Sequence, residues 1–244
     1  MADEHRGSEF SFERDGATLS GYAARPDGAG PFPGLLLIHD VRGLYDHYRD
    51  VAHRFAGEGF FTVALDLYSR EGAPELPDMP SVFRWMRALP DRRVLADLGA
   101  AVDGIAAHPD VRADAVAVTG FCMGGQYALM AACTVKRLAA CVSWYGMLRY
   151  AEKDEAKPAS PLDLAPQLSC PYLGLFGAED PIIPVADVEE LRSILAREGK
   201  TFEIEVYEGA GHGFFNDTRP EMFRPTVAAQ AWQRAIGFLR EHLA

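Results

Sequence analysis

The segment that decides the fold reads Val118-Thr119-Gly120-Phe121-Cys122-Met123-Gly124-Gly125. A buried-strand pattern runs into Gly120-x-Cys122-x-Gly124 and a helical pattern follows at once, which matches the nucleophile-elbow motif with cysteine in place of serine. Because glycine has no β-carbon, strand and helix can approach closely and the turn can lift the Cys122 side chain off the sheet. The sulfur then lies at a helix N-terminus, which favours a thiolate, and the Met123 N–H points to where an oxyanion would form. We therefore expect Cys122 to be a nucleophile; the alternative is a glycine-rich β–α turn with a packing cysteine.

Strand and helix patterns alternate on both sides of this segment. Apolar runs suited to strands buried on both faces lie at 35–38, 61–65, 115–119, 139–144, 172–176 and 202–206, after shorter strand patterns at 9–13 and 18–24. Helical patterns lie at 47–58, 91–107, 123–133, 185–198 and 226–242. The alternation predicts a three-layer α/β fold with a mostly parallel central sheet, whose catalytic groups gather at the carboxyl ends of the strands.

The domain organisation is predicted to be simple. We expect residues 1–8 to be a loose lead-in and residues 9–244 to form a single domain, since 244 residues suit one α/β unit. The polar stretch 147–170 interrupts the alternation. It is too short for a domain and is interpreted as a surface excursion that edges the site.

Composition and charge exclude several classes of partner. The formal net charge of -11 repels phosphate backbones and anionic membranes, so we expect neither nucleic-acid nor membrane partners. The polar N-terminus without an apolar signal region predicts a soluble, cytoplasmic protein. In that compartment the four cysteines are expected to be free thiols, and Cys133, Cys141 and Cys170 are interpreted as small buried apolar residues.

A carboxylate candidate follows the strand pattern at 172–176. Asp180 lies on a turn just past this strand, where an acid can orient a histidine. Glu179 is the second choice, and for both residues the alternative role is simple helix capping.

A histidine follows the last strand pattern. His212 is flanked by glycines, so it can reach inward as a general base between Cys122 and Asp180. The chain order of nucleophile, acid and base is that of α/β-hydrolases. The other six histidines, His39 among them, are assigned to loops or to the surface.

Several motifs together give the chain a family resemblance. They are His39-Asp40-Val41-Arg42-Gly43-Leu44, Ala64-Leu65-Asp66-Leu67-Tyr68, Gly120-Phe121-Cys122-Met123-Gly124-Gly125, Ser143-Trp144-Tyr145-Gly146 and Gly211-His212-Gly213-Phe214. With these motifs the chain resembles the dienelactone hydrolase family (carboxymethylenebutenolidase type) of α/β-hydrolases, from about residue 10 to the C-terminus. The resemblance implies an α/β-hydrolase fold without a large cap domain and a triad of Cys122, Asp180 and His212.

The resemblance also implies the surroundings of the triad. The N–H groups of Val41 and Met123 would form the oxyanion hole. Asp40 occupies the position of an acid, usually glutamate, that is thought to control the charge of the thiol in family members; its alternative role is that of a turn residue.

Two positions bear on the substrate. Family members hold a substrate carboxylate with arginines, one of them four residues past the catalytic histidine, where this chain has Asn216. Arg219 and Arg42 are the candidates to replace it, or else are solvated surface residues. Trp144 and Tyr145 follow a strand end and are candidates for the pocket wall, or for core packing.

These features predict a hydrolase that cleaves an ester or lactone through a thioester intermediate on Cys122, without a metal or organic cofactor. The substrate would be a small molecule, and the protein a monomer or small homo-oligomer. Three alternatives stay open. They are a hydrolase of the same fold acting on other acyl esters or thioesters, a catalytically silent binding protein, and a redox role for Cys122.

Overall fold

The computed structural model describes residues 7–244, and in this part of the chain eight strands form one sheet. The strands are β1 Gly7–Arg14, β2 Ala17–Ala24, β3 Phe32–Ile38, β4 Phe61–Leu65, β5 Val111–Phe121, β6 Ala140–Trp144, β7 Tyr172–Gly177 and β8 Phe202–Tyr207. Their order across the sheet is β1-β2-β4-β3-β5-β6-β7-β8. The first two strands pair antiparallel, β2 pairs antiparallel with β4, and all other neighbours are parallel, so the mostly parallel sheet is confirmed.

Helices cover both faces of this sheet. They are α1 Asp46–Gly57, α2 Met79–Ala88, α3 Asp91–Ala106, α4 Met123–Thr134, α5 Pro161–Leu164, α6 Val185–Arg197 and α7 Pro225–His242, with a short 3-10 turn at Ala165–Gln167. On one face α1 and α7 meet, where the rings of Phe55 and Trp232 are 4.4 Å apart. On the other face α3 and α4 pack against each other and against β5. The three-layer α/β fold predicted from the alternating patterns is therefore confirmed.

The central strands lie entirely inside this sandwich. All five residues of β4 and of β6 are buried, and so are all six of β7. Strands covered on both faces must be apolar at every position, which is why they appear in the sequence as continuous rather than alternating apolar runs. The residues singled out by the sequence lie at the carboxyl edge, at the end of β6 and in the turns and loops that follow β3, β5, β6, β7 and β8.

Two parts of the chain differ from the sequence-based expectation. The helix α2 was not predicted; it begins after Asp78, whose carboxylate accepts the N–H of Ser81 at 2.8 Å. The excursion 147–170 is not purely a surface segment, because Lys157 is buried and lies against Asp91 of α3. Of the predicted lead-in, residues 1–6 lie outside the described residues, whereas Gly7 and Ser8 belong to β1.

Glycines allow the close approach of backbones at the carboxyl edge. A β-carbon at Gly120 would lie 2.1 Å from the carbonyl oxygen of Gly124, and one at Gly124 would lie 2.3 Å from the carbonyl oxygen of Ile38. A β-carbon closer than 3.0 Å to backbone atoms cannot be accommodated by rotation of a side chain, so the backbone itself would have to move. The start of α4 therefore lies directly on the ends of β3 and β5.

We expect Gly124→Ala to destabilise the protein by about 2–3 kcal/mol or more, because the added methyl group overlaps backbone oxygens. The matched control is Gly237→Ala in the exposed interior of α7, where nothing lies within 4 Å of the added carbon. This control should stabilise by roughly 0.5–1 kcal/mol through helix propensity. Urea unfolding of both variants is the measurement, and equal stability of the two would contradict the contact.

Candidate active site

Cys122 lies at the sharp turn between β5 and α4. Its backbone has φ 57 and ψ -117, a left-handed conformation that is costly for a residue with a side chain. The turn is held by the Cys122 N–H, which donates to the carbonyl of Trp144 at 2.9 Å. Because α4 begins at Met123, the half-buried thiol lies at the helix N-terminus, as the sequence predicts.

His212 connects Cys122 with Asp180. Its Nε2 lies 3.1 Å from the sulfur, and its Nδ1 lies 2.8 Å from Oδ2 of Asp180. The other oxygen of Asp180 accepts the N–H groups of Ile182 at 2.8 Å and Ile183 at 3.2 Å. Asp180 is buried whereas Glu179 is exposed, so of the two acids it is Asp180 that the structure brings to His212.

The electrostatic environment of His212 favours its charged form. Burial lowers the pKa of His212, but the charge of Cys122 and the hydrogen bonds to Asp180 and Cys122 raise it more, so that it is about 10 instead of 6.5. His212 is therefore an imidazolium at neutral pH when it faces a thiolate.

The loop after β3 presents the peptide between Asp40 and Val41. Within the described chain, neither the Val41 N–H nor the Met123 N–H donates a hydrogen bond, and both residues line the cavity beside Cys122. The carbonyl of the same peptide accepts Nδ1 of His39 at 2.6 Å. The next carbonyl, that of Val41, accepts the hydroxyl of Tyr68 at 2.8 Å. The loop after β3 thus has two fixed carbonyls and one unengaged N–H, that of Val41, and the first residue of α4 adds the unengaged N–H of Met123.

His39 is a residue whose importance the sequence interpretation missed. It lies in a loop, the one that follows β3, but it is fully buried, which contradicts an assignment to the surface. Its Nε2 accepts the N–H of Leu67 at 3.0 Å, so the proton of the neutral ring must be on Nδ1, the atom that donates to Asp40. His39 therefore ties the loop after β3 to the loop after β4.

Asp40 is engaged by its own loop. One carboxylate oxygen accepts the N–H of Arg42 at 2.8 Å and the other accepts the hydroxyl of Tyr45 at 3.3 Å. Among the described residues no hydrogen bond joins Asp40 to Cys122. Asn216, four residues past His212, donates to the same hydroxyl of Tyr45 at 2.9 Å, so this amide links the histidine loop to the loop after β3.

The cavity above Cys122 has a volume of about 180 Å³. Both arginine candidates line it. Arg219 is paired with Glu221 at 3.0 Å, whereas no ion pair of Arg42 occurs within residues 7–244. An anionic group entering this cavity would therefore find Arg42 without an ion-pair partner, whereas Arg219 already contacts Glu221.

The two aromatic candidates have different positions. Tyr145 lines the cavity, and its ring packs edge-on against His212 at 5.3 Å. Trp144 is fully buried between Phe121 and Phe215, and its indole N–H donates to Thr119 at 3.1 Å. The structure therefore does not bring the Trp144 side chain into the cavity; Trp144 contributes only the carbonyl that holds the elbow.

Apolar side chains that the sequence analysis did not single out complete the cavity wall. They are Met79, Val82, Phe83 and Met86 of α2, together with Met147, Ile182 and Met222. The signal for α2 was present, with Asp78 as an N-cap and Val82 and Met86 one turn apart.

The three remaining cysteines lie in the core of the protein. Cys133, Cys141 and Cys170 are free and buried as predicted, and burial raises the pKa of Cys133 and of Cys170 to about 12. Among the residues that the structure describes, no group of three His, Cys, Asp or Glu side chains is arranged to hold a metal ion. None of the described helices is both long and apolar enough to cross a membrane.

Comparisons with known proteins all point to the same family. The model of the dienelactone hydrolase family matches residues 19–243. A Bradyrhizobium protein named as a 2-oxo-3-(5-oxofuran-2-ylidene)propanoate lactonase is 35% identical over 94% of this chain and 92% of its own length. A protein of Escherichia coli K12 named as a carboxymethylenebutenolidase is 35% identical over 95% of this chain and 86% of its own.

A solved structure extends this similarity to the whole described fold. The crystal structure of a protein of Klebsiella pneumoniae described as a dienelactone hydrolase has a TM-score of 0.92 and 36% identity, covering 98% of this chain and 99% of the other. The chain therefore belongs to the dienelactone hydrolase family of α/β-hydrolases and is a hydrolase of carboxylic esters or lactones.

Proposed function

We propose that the protein hydrolyses a small-molecule ester or lactone by covalent catalysis, with Cys122 as the nucleophile and a thioester as the intermediate. The observation that carries this proposal is the continuous chain of contacts from Cys122 Sγ to His212 Nε2 at 3.1 Å and from His212 Nδ1 to Asp180 at 2.8 Å. A nucleophile, a base and an orienting acid at hydrogen-bond distances are what acyl transfer requires.

The first half-reaction forms the acyl-enzyme. The Cys122 thiolate attacks the carbonyl carbon, and the negative oxygen that results accepts the N–H groups of Val41 and Met123. When the tetrahedral intermediate collapses, the C–O bond to the alcohol breaks. The His212 imidazolium gives its Nε2 proton to the departing oxygen, which leaves a thioester on Cys122 and a neutral His212.

The second half-reaction restores the enzyme. Neutral His212 accepts a proton from a water molecule as that water attacks the thioester carbon. Collapse of the second tetrahedral intermediate breaks the C–S bond and releases the carboxylic acid. The thiolate of Cys122 and the imidazolium of His212 are then paired again, and ester plus water has become acid plus alcohol.

His39 acts in this mechanism as a positioning residue for the oxyanion hole. It donates to the carbonyl of the Asp40–Val41 peptide, whose N–H is the proposed donor to the oxyanion. A hydrogen bond to a peptide carbonyl fixes the plane of that peptide and polarises its N–H. The Leu67 N–H in turn keeps the His39 proton on Nδ1.

Arg42 is our candidate to bind a carboxylate when the substrate carries one. The Bradyrhizobium relative is named for a lactone that bears a propanoate group. Arg42 lines the catalytic cavity and, unlike Arg219, has no ion-pair partner among residues 7–244. We therefore propose lactones and esters, anionic ones included, as the substrate class.

Cys122→Ala should abolish hydrolysis of aryl esters and lactones, with a loss of at least about 10³-fold in kcat, because no covalent intermediate can form. Cys133→Ala is the matched control: it removes a buried thiol elsewhere on α4 and should retain activity. Mass spectrometry of the wild type quenched during turnover should show the acyl group on the peptide that contains Cys122. Undiminished turnover by Cys122→Ala would show that the covalent mechanism is wrong.

The pKa of His212 should fall from about 10 toward 6.5 in Cys122→Ala, because the charge of the sulfur and its hydrogen bond disappear while burial persists. A raised folded-state pKa means that the stabilisation from the imidazolium is fully present below pH 6.5 and is lost as the pH rises through about 10. NMR titration of the His212 ring in both proteins is the measurement. The same high pKa in both would mean that Cys122 does not form the ion pair.

Two substitutions at His39 should separate positioning from folding. His39→Gln can still accept the Leu67 N–H but loses the donor to Asp40, so kcat should fall on the order of tenfold with little change in KM. His39→Asn keeps a donor near the Nδ1 position and leaves the Leu67 N–H unpaired, which should cost about 1–3 kcal/mol of stability with a smaller loss of kcat. A purely structural role for His39 predicts instead that kcat follows stability in both variants.

A further inference from the structure

A second cavity lies next to the catalytic one and is larger. Its volume is about 580 Å³, against about 180 Å³ for the cavity above Cys122. The two share a wall of five side chains, Met79, Phe83, Met86, Met147 and Ile182. Pockets that bury a complete organic ligand usually have volumes of roughly 300–1,000 Å³, so the catalytic cavity is too small for more than the reacting group. We call the larger space the adjoining compartment.

The shared wall is apolar and adaptable. Three of its five side chains are methionines, which fill irregular spaces and adjust to ligands of different shape. Met79 and Phe83 are 49% and 45% exposed although both are large and apolar. Since they lie one turn apart on α2 and face both cavities, an apolar ligand in the compartment would cover surface that water now contacts.

The cations around the compartment are all neutralised by the protein. Arg87 pairs with Glu152 at 2.8 Å and Asp154 at 3.1 Å. The buried Lys157 pairs with Asp91 at 2.5 Å.

Arg149 is neutralised in the same way. It pairs with Asp187 at 3.0 Å and contacts Glu190. A carboxylate in the compartment would thus lose its hydration without gaining an unpaired cation, whereas an uncharged group loses little.

The position of the compartment relative to His212 indicates which part of the substrate the compartment would bind. Three residues that follow His212 line the catalytic cavity and not the compartment: Gly213, Asn216 and Arg219. In the proposed mechanism His212 protonates the departing alcohol, so the alcohol lies on the His212 side. The acyl group then extends toward α2 and the segment 147–152, where the compartment is.

We propose that the adjoining compartment binds an uncharged, apolar acyl arm of the substrate, so that the enzyme acts on esters with extended acyl groups as well as on compact ones. This inference rests on the proposed function, because it needs a bound ester oriented by His212 and Cys122. In this proposal, the shared methionine wall and α2 contribute to the choice of substrate.

The test is a series of p-nitrophenyl esters from acetate to decanoate. We expect kcat/KM to rise by up to roughly fourfold for each buried methylene group until the compartment is full. An ester of equal length whose acyl chain ends in a carboxylate should react at least about tenfold more slowly than the neutral one. A series of alkyl acetates, in which only the alcohol lengthens, should show no such rise.

Substitution of the compartment should remove the dependence on acyl length. Ala151 is exposed and lines the compartment but not the catalytic cavity, so Ala151→Trp can fill the rim of the compartment without disturbing the core. The matched control is Ala113→Trp, also at an exposed alanine but near the amino end of β5, at the opposite edge of the sheet. Because the new indole in Ala151→Trp could turn outward, Met147→Trp on the shared wall is the second variant.

The outcomes separate this inference from the proposed function. A rise with acyl length that is lost in either compartment variant and kept in Ala113→Trp supports it. Hydrolysis of the acetate with no dependence on acyl length, or a rise that both variants keep, overturns the compartment and leaves the proposed function standing. A rise in the alcohol series instead overturns the acyl assignment. If no ester is hydrolysed at all, the proposed function is overturned and the acyl arm with it.

Discussion

Close backbone contacts at Gly120 and Gly124 determine how the nucleophile turn, α4 and the end of β3 fit together at the centre of the site. The two glycines let α4 begin immediately after Cys122, with its first turn against the carbonyl oxygens of Ile38 and His39. The elbow, the end of β3 and the loop that follows it therefore form one rigid unit. Side chains at either glycine would push these three elements apart, and with them the thiol and the N–H groups of Val41 and Met123.

The charge of His212 is set by its two neighbours in the site. The raised pKa of His212 reflects the negative groups on either side of it, Cys122 and Asp180, which outweigh the cost of burial. The aspartate is fixed by two backbone N–H groups, so only one of its oxygens is available to the ring. This division orients the imidazole and leaves Nε2 directed at the sulfur.

Apart from α2 and α5, the sequence predicted the elements of the fold, and it singled out the three central residues because each of them lies in the turn that follows a strand pattern. Asp180 and His212 could be placed from local features alone, namely a turn after an apolar run and flanking glycines. His39 could not, since its role depends on the loop after β4 coming to lie beside the loop after β3. Likewise, no local pattern distinguishes Tyr145, which faces the cavity, from Trp144, which packs in the core.

The adjoining compartment was also beyond sequence analysis, for a related reason. Its wall is assembled from α2, from the segment after β6 and from the loop after β7, which are separate parts of the chain between residues 79 and 182. Methionine and phenylalanine in such places look like ordinary core residues. Only their exposure in the folded chain, as at Met79 and Phe83, shows that they are not packed.

The hydrogen bonds that hold the loop after β3 have an energetic consequence for turnover. In water, solvent dipoles must turn toward a carbonyl oxygen as it gains negative charge, and this reorganisation is part of the barrier. Here the peptide plane of Val41 is already set by His39, the following carbonyl by Tyr68, and the α4 terminus by the glycine contacts. The dipoles that would meet the developing charge are thus oriented when the protein folds, so their orientation is a cost of folding and not of each catalytic cycle.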